Sequence, residues 1–199
     1  MSKSNTSLVL GSIRQVAMQK GIAPQVAIME ALQSGNCRII GVDTSYSMQE
    51  RDVKVEGDAR ISRYAQACKE LAKLQADFAG TVLVVSFSDE AEFCLDGVPS
   101  NQENGTYLTS FFNLVKDYDG LAELFVICDG DLNDYDYQNC VAAARKMQSK
   151  VNTVYIGDAD AQAQMRLKEI ATAGKGQNAS NIDTKGFAET VTLMLGSGK

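Results

Sequence analysis

Histidine is absent from all 199 residues, which excludes every mechanism that needs an imidazole: Ser-His-Asp and Cys-His catalysis, and His-ligated zinc. No apolar run approaches the ~20 residues that span a bilayer. Near the N-terminus Leu8-Val9-Leu10 is followed by Arg14, too short a run for a signal segment. Basic residues are the scarcer sign of charge, 19 against 25 acidic, giving a net charge of −6 and a pI near 4.7. That balance repels a phosphate backbone and argues against nucleic acid as a partner. The five cysteines (Cys37, Cys68, Cys94, Cys128 and Cys140) are odd in number and contain no C-x-x-C. Several lie in or beside apolar runs, where a thiol acts as a small buried hydrophobe, so a reducing compartment is expected. No G-x-x-x-x-G-K-[ST] is present to cradle a nucleotide. The expectation is a cytoplasmic protein with no membrane partner; the oligomeric state is open.

With 45% hydrophobic and 22% charged residues, the composition is that of an ordinary globular chain. Two helical pieces are predicted over residues 8–34, divided at Gly21, restarted by Pro24 and stopped by Gly35. Residues 1–36 form a helical extension whose simplest role is to cover a sheet face or edge. From residue 37 to 199 no linker or repeat interrupts the chain, which predicts one domain. Four runs, RIIGVD (38–43), TVLVVSF (81–87), LFVICD (124–129) and VNTVYIG (151–157), are almost continuously apolar, as in strands covered on both faces. AEFCL (91–95) alternates, which predicts an antiparallel edge strand, and GQNASNID (176–183) offers a weak last edge strand.

Helical patterns separate these runs. One is capped by Asp58, carries Ile61, Tyr64, Ala65, Cys68, Leu71 and Ala72, and closes at Gly80. The others centre on Leu108–Val115, on Cys140–Met147, on Ala163–Ala171 before Gly174, and on Phe187–Leu195 after Asp183-Thr184. Strand and helix alternation of this kind predicts an α/β fold: a doubly wound, mostly parallel sheet with one antiparallel edge strand and helices on both faces.

In such a sheet the site lies at the carboxyl ends of the strands, where strand order reverses. Two strands end there in an aspartate, Asp43 and Asp129. Asp43 opens Asp43-Thr44-Ser45-Tyr46-Ser47-Met48, in which Ser45 and Ser47 can project the same way. Asn104-Gly105-Thr106 adds a hydroxyl before a helix. Two carboxylates and three hydroxyls make an all-oxygen donor set that selects a hard divalent cation: magnesium first, then manganese or calcium. Neutral serine donors leave such an ion short of negative charge and open to one further anionic oxygen.

At these residues the chain resembles the von Willebrand factor type A domain with its metal-ion-dependent adhesion site. Asp43-x-Ser45-x-Ser47-Met48, Gly105-Thr106 before a helix, and FVICDG ending in Asp129-Gly130 stand in the family's order, over roughly residues 37–195. SRYAQAC (62–68) is similar to bacterial and prophage-encoded members. The resemblance implies that Ser45 and Ser47 ligate the metal directly, Thr106 directly or through water, and Asp43 and Asp129 mainly through water or hydrogen bonds. Asn104 stands where the family has a first glycine, which leaves Thr109 as a substitute for Thr106. Tyr46 replaces a glycine common in intracellular relatives.

The function implied is a non-enzymatic protein-binding module that captures an Asp or Glu carboxylate of a protein partner, as adaptors beside AAA+ ATPases do. The alternatives are a metal-dependent phosphohydrolase, disfavoured because Ser45 stands where the general acid belongs, and a phage-related assembly component with an incidental metal site. Asp129–Cys140 is no EF-hand, having Asp134 at its sixth position and Cys140 at its twelfth. The charged stretch Met48–Asp58 reads as a solvated connection. With Asp131, Asp134 and Asp136, it predicts a negative face that favours a carboxylate surrounded by lysine or arginine.

Overall fold

The computed structural model describes residues 10–54, 59–100, 105–157 and 160–179, together with 189, 190, 192 and 194. Its centre is a six-stranded sheet. The strands are β1 (Cys37–Asp43), β4 (Val82–Phe87), β5 (Ala91–Phe93), β6 (Ala122–Cys128), β7 (Val151–Tyr155) and β8 (Lys175–Ala179), and β2 (Val53–Lys54) and β3 (Arg60–Ile61) pair apart from it. The spatial order is β5-β4-β1-β6-β7-β8. All neighbours run parallel except β4 and β5. Of the weak final strand expected over 176–183, residues 176–179 belong to β8, an edge strand parallel to β7, and 180–183 lie outside the described residues.

Six helices complete the described fold: α1 (Ile13–Lys20), α2 (Pro24–Gln33), α3 (Arg63–Asp77), α4 (Leu108–Val115), α5 (Asp134–Lys146) and α6 (Ala161–Ala173). Side chains alternate across the sheet, so each strand feeds two cores. Ile40, Val42, Val84, Phe125, Ile127 and Val154 meet Ala67, Leu71 and Leu74 of α3, three buried positions on one helical stripe. On the other face Ile39, Val85, Val126 and Cys128 pack with Phe111 and Phe112 of α4, Cys140 and Ala144 of α5, and Leu167 and Ile170 of α6. Ile13, Ala17, Ala27, Ala31 and Leu32 bring α1 and α2 into this same core. No helix among the described residues is long and apolar enough to cross a membrane.

Two sequence expectations are corrected here. The helix expected to start at Asp58 begins at Arg63, where the Ser62 hydroxyl caps it by accepting from the Ala65 N–H (3.1 Å); Asp58 itself lies outside the described residues. Ile61, expected on that helix, belongs to β3 and pairs with Val53. The stretch Met48–Asp58, expected to be a simple solvated connection, thus contributes β2, which pairs antiparallel with β3; residues 55–58 lie outside the described residues. The helix expected over Phe187–Leu195 falls mostly outside the described residues, but 189, 190, 192 and 194 are helical and Met194 packs on the α3-side core.

This topology sets the position of the site. The chain leaves β1 to form β4 on one side and later returns to β6 on the other, so strand order reverses at the β1–β6 pair. The turns after β1 and β6 leave the same rim of the sheet and frame the crevice between them.

Candidate metal centre

Asp43, the last residue of β1, is fully buried. Its Oδ1 accepts the Ser45 N–H (2.8 Å), which folds the chain back over the strand end. Thr44 fixes the turn from the other side, both its N–H and its hydroxyl donating to the Phe87 carbonyl on β4 (2.9 and 3.1 Å). A 3-10 turn over Tyr46–Gln49 follows, and fully buried Met48 anchors it in the α3-side core. In consequence the Ser45 and Ser47 hydroxyls lie side by side, 3.1 Å apart.

The second carboxylate comes from the turn after β6. Asp129 is 3% exposed, its Oδ1 accepting the Asp131 N–H (3.2 Å). Gly130 makes this turn with φ +74°, and a side chain there would strike the Ala163 carbonyl at 2.8 Å. Asp43, Cys128 and Asp129 each offer a ligand atom within 4.8 Å of the others. Burial and the Asp129 charge together raise the Asp43 carboxyl to about 7, although Cys128 and Ser45 donate to it.

Cys128 is a participant that its apolar setting concealed. Its thiol donates to Asp43 Oδ2 (3.0 Å) and its sulfur accepts the Gly130 N–H (3.1 Å). Burial, reinforced by the Asp43 and Asp129 charges, pushes the thiol well above its ordinary range. Here the thiol acts as a hydrogen-bond donor to Asp43.

Arg63 is the other group that sequence reading missed. Its Nη1 donates to Asp129 Oδ2 (3.0 Å), its Nε to Asp52 Oδ2 (2.8 Å) and its Nη2 to Asp52 and to Glu50 (2.8 Å for Glu50). Desolvation works against the guanidinium, but Asp52, Asp129 and Glu50 outweigh it and hold its pKa above the ordinary value. The loop before β2 thus carries the acids, Glu50 and Asp52, that seat Arg63 beside Asp129. A cavity of about 350 Å³ opens over this group, lined by Ser47, Glu50, Arg63, Asp129, Asp131 and Asp160 among others.

The third loop reaches the same rim. The Tyr107 N–H donates to the Ser88 carbonyl just past β4 (3.3 Å), which holds the neighbouring, half-buried Thr106 at the carboxyl end of that strand. Among the described residues no hydrogen bond joins Thr106 to Asp43, Ser45, Ser47 or Asp129. Thr109 is withdrawn as its substitute, because its N–H and hydroxyl both donate to Asp136, which also accepts the Leu108 N–H (2.8 Å). Asn104 lies outside the described residues. Asp136, expected on an exposed acidic face, is 1% exposed and instead ties α5 to the start of α4. Asp131 and Asp134 are exposed as expected, Asp134 paired with Arg166.

No family model matches the chain, and no curated protein matches it either. Among solved structures it is similar to a mutant of the PilB minor pilin from Streptococcus sanguinis. The identity is 14% and the TM-score 0.58, over 82% of this chain and 63% of the pilin chain. An uncharacterized membrane-spanning protein from Vibrio fischeri aligns at 17% identity with a TM-score of 0.36, over 82% of this chain and all of that one. The pilin likeness concerns the fold alone, and this chain spans less than two thirds of that protein.

Proposed function

We propose that this chain is a non-enzymatic, metal-dependent protein-binding module of the von Willebrand factor type A kind, acting in the cytoplasm as an adaptor within a multi-protein assembly such as one built around an AAA+ ATPase. The observation that carries this reading is the meeting of the Asp43 and Asp129 carboxylates within 4.8 Å, beside the paired Ser45 and Ser47 hydroxyls, at the point where strand order reverses. Ser45 and Ser47 would hold the ion directly, Thr106 directly or through water, and Asp43 and Asp129 mainly through water or hydrogen bonds. The oxygen donors are hard and suit magnesium, manganese or calcium better than a thiophilic ion. When bound, the ion supplies an electrophilic position that pairs with an Asp or Glu carboxylate of the partner.

The residues around the ion keep that position selective. Cys128 and the Ser45 N–H satisfy Asp43 and hold it at the base of the site. Arg63 neutralises the outer oxygen of Asp129, so the site concentrates less negative charge than its carboxylates alone would give. The free thiols Cys37, Cys68, Cys94, Cys128 and Cys140 favour a reducing compartment.

Affinity capture from native lysate, with and without a chelator, tests the module. A partner retained only with magnesium or manganese, and lost in Ser45→Ala, is the expected result. Retention indifferent to both contradicts it and favours an assembly component with an incidental site. Hydrolysis of a generic phosphoester, abolished by Asp43→Asn, would replace the module with a phosphohydrolase.

A further inference from the structure

All strongly exposed aromatic rings among the described residues stand at one end of the molecule. Tyr46 is 73% exposed, Tyr107 44% and Tyr135 78%, while every other described tyrosine and phenylalanine is buried or half-buried. Each of the three belongs to a different loop of the candidate site. Tyr46 separates Ser45 from Ser47, Tyr107 follows Thr106, and Tyr135 sits in the first turn of α5 beyond Asp129. Hydrogen bonds bring these loops together. The Thr44 N–H donates to Phe87, the Tyr107 N–H to Ser88, and Leu108, next to Tyr107, to Asp136, next to Tyr135.

Such rings add nothing to the core. At an interface, tyrosine offers a large, rigid, amphipathic surface at small entropic cost. Asp131 and Asp160 are exposed on this side of the molecule, while Glu50 and Asp134, also exposed, are already paired with Arg63 and Arg166. A ring face beside a carboxylate is a receptor for a guanidinium, which stacks on the one and pairs with the other. The molecule already does this internally, since Arg166 lies 5.5 Å from the Tyr137 ring centre while bound to Asp134.

We infer that the Tyr46–Tyr107–Tyr135 rim is the recognition surface of the module, and that it selects a protein segment whose metal-seeking Asp or Glu is flanked by arginine. The inference rests on the metal reading for its central carboxylate; the rings account for the choice among carboxylate-bearing segments.

The test uses nine-residue peptides with a central Asp or Glu flanked on each side by two Arg, two Gly or two Glu, titrated into the full chain with magnesium by fluorescence anisotropy. Arg-flanked peptides are expected to bind about tenfold more tightly than Gly-flanked ones, and Glu-flanked peptides not measurably. The combined Tyr46→Ala, Tyr107→Ala and Tyr135→Ala variant should lose that tenfold preference, and the corresponding Phe variant should keep most of it. Neither variant changes the net charge, so the loss reports the rings and not the acidic field. Both should keep the wild-type rise in melting temperature with magnesium, which verifies folding and the metal site.

Equal affinity for Arg- and Gly-flanked peptides overturns the inference. So does an Arg preference that survives in the Ala variant, or a magnesium-binding chain that takes no peptide. If instead the preference depends on the rings but ignores chelator, the rim stands and the metal reading falls.

Discussion

At the residue scale, the side chains that meet at the rim, Asp43, Ser45 and Ser47, were legible from their spacing: an aspartate ending a strand, then hydroxyls at offsets of two and four. Cys128 and Arg63 were not. A cysteine in FVICD is indistinguishable from core until Asp43 is seen beside it. Arg63 did leave a signal, since it occupies the first turn of α3, where the helix dipole favours acids. A local rule broken in that way marks a residue held by something distant, here Asp52, Glu50 and Asp129. Both Arg63 and Asp129 are largely buried, so removing the guanidinium strands two carboxylates. Arg63→Gln is expected to cost about 3 kcal/mol in urea unfolding at neutral pH. A loss below about 0.5 kcal/mol would show that solvent already screens the pair.

At the element scale, the parallel strands announced themselves by unbroken apolar character, and their helices by one-sided stripes. The β2–β3 pair did not, because two-residue strands carrying Lys54 and Arg60 have no periodicity to read. Packing between elements was equally silent. At Gly41 of β1 a Cβ would approach Phe111 of α4 to 2.6 Å, a contact no pattern reveals. Gly41→Ala should therefore destabilise by about 1–3 kcal/mol, and Phe111→Leu should restore part of the loss; thermal melts of the single and double variants check this. Asp119 ties the turn before β6 to the turn before β7, accepting the Gln148 and Ser149 N–H groups (2.9 and 2.8 Å). Desolvation would raise its pKa, but these bonds prevail and lower it. A carboxyl lowered on folding contributes stability that is full above the unfolded value of about 3.9 and is lost as pH falls through the folded one. Asp119→Ala should thus cost about 1 kcal/mol at pH 7 and progressively less below about pH 4. A difference between wild type and variant that grows on acidification would reverse the assignment.

At the scale of the whole molecule, alternation of strands and helices foretold the doubly wound sheet, and with it the rim where three loops meet. Which exposed side chains share that rim was not legible, because Tyr46, Tyr107 and Tyr135 are separated in sequence and converge only through strand order. The same convergence gathers the acids. Asp131→Lys should raise the dissociation constant of an Arg-flanked peptide several-fold at low salt, with the gap closing as ionic strength rises; anisotropy across a salt series measures it. All of this depends on whether Asp43, Ser45, Ser47, Thr106 and Asp129 hold one hard cation. Isothermal titration of magnesium into chelator-treated protein decides that most directly. One site is expected in the wild type, weakened at least tenfold in Ser47→Ala although that variant melts normally without metal. No measurable heat in the wild type, or identical binding in both chains, would contradict the account.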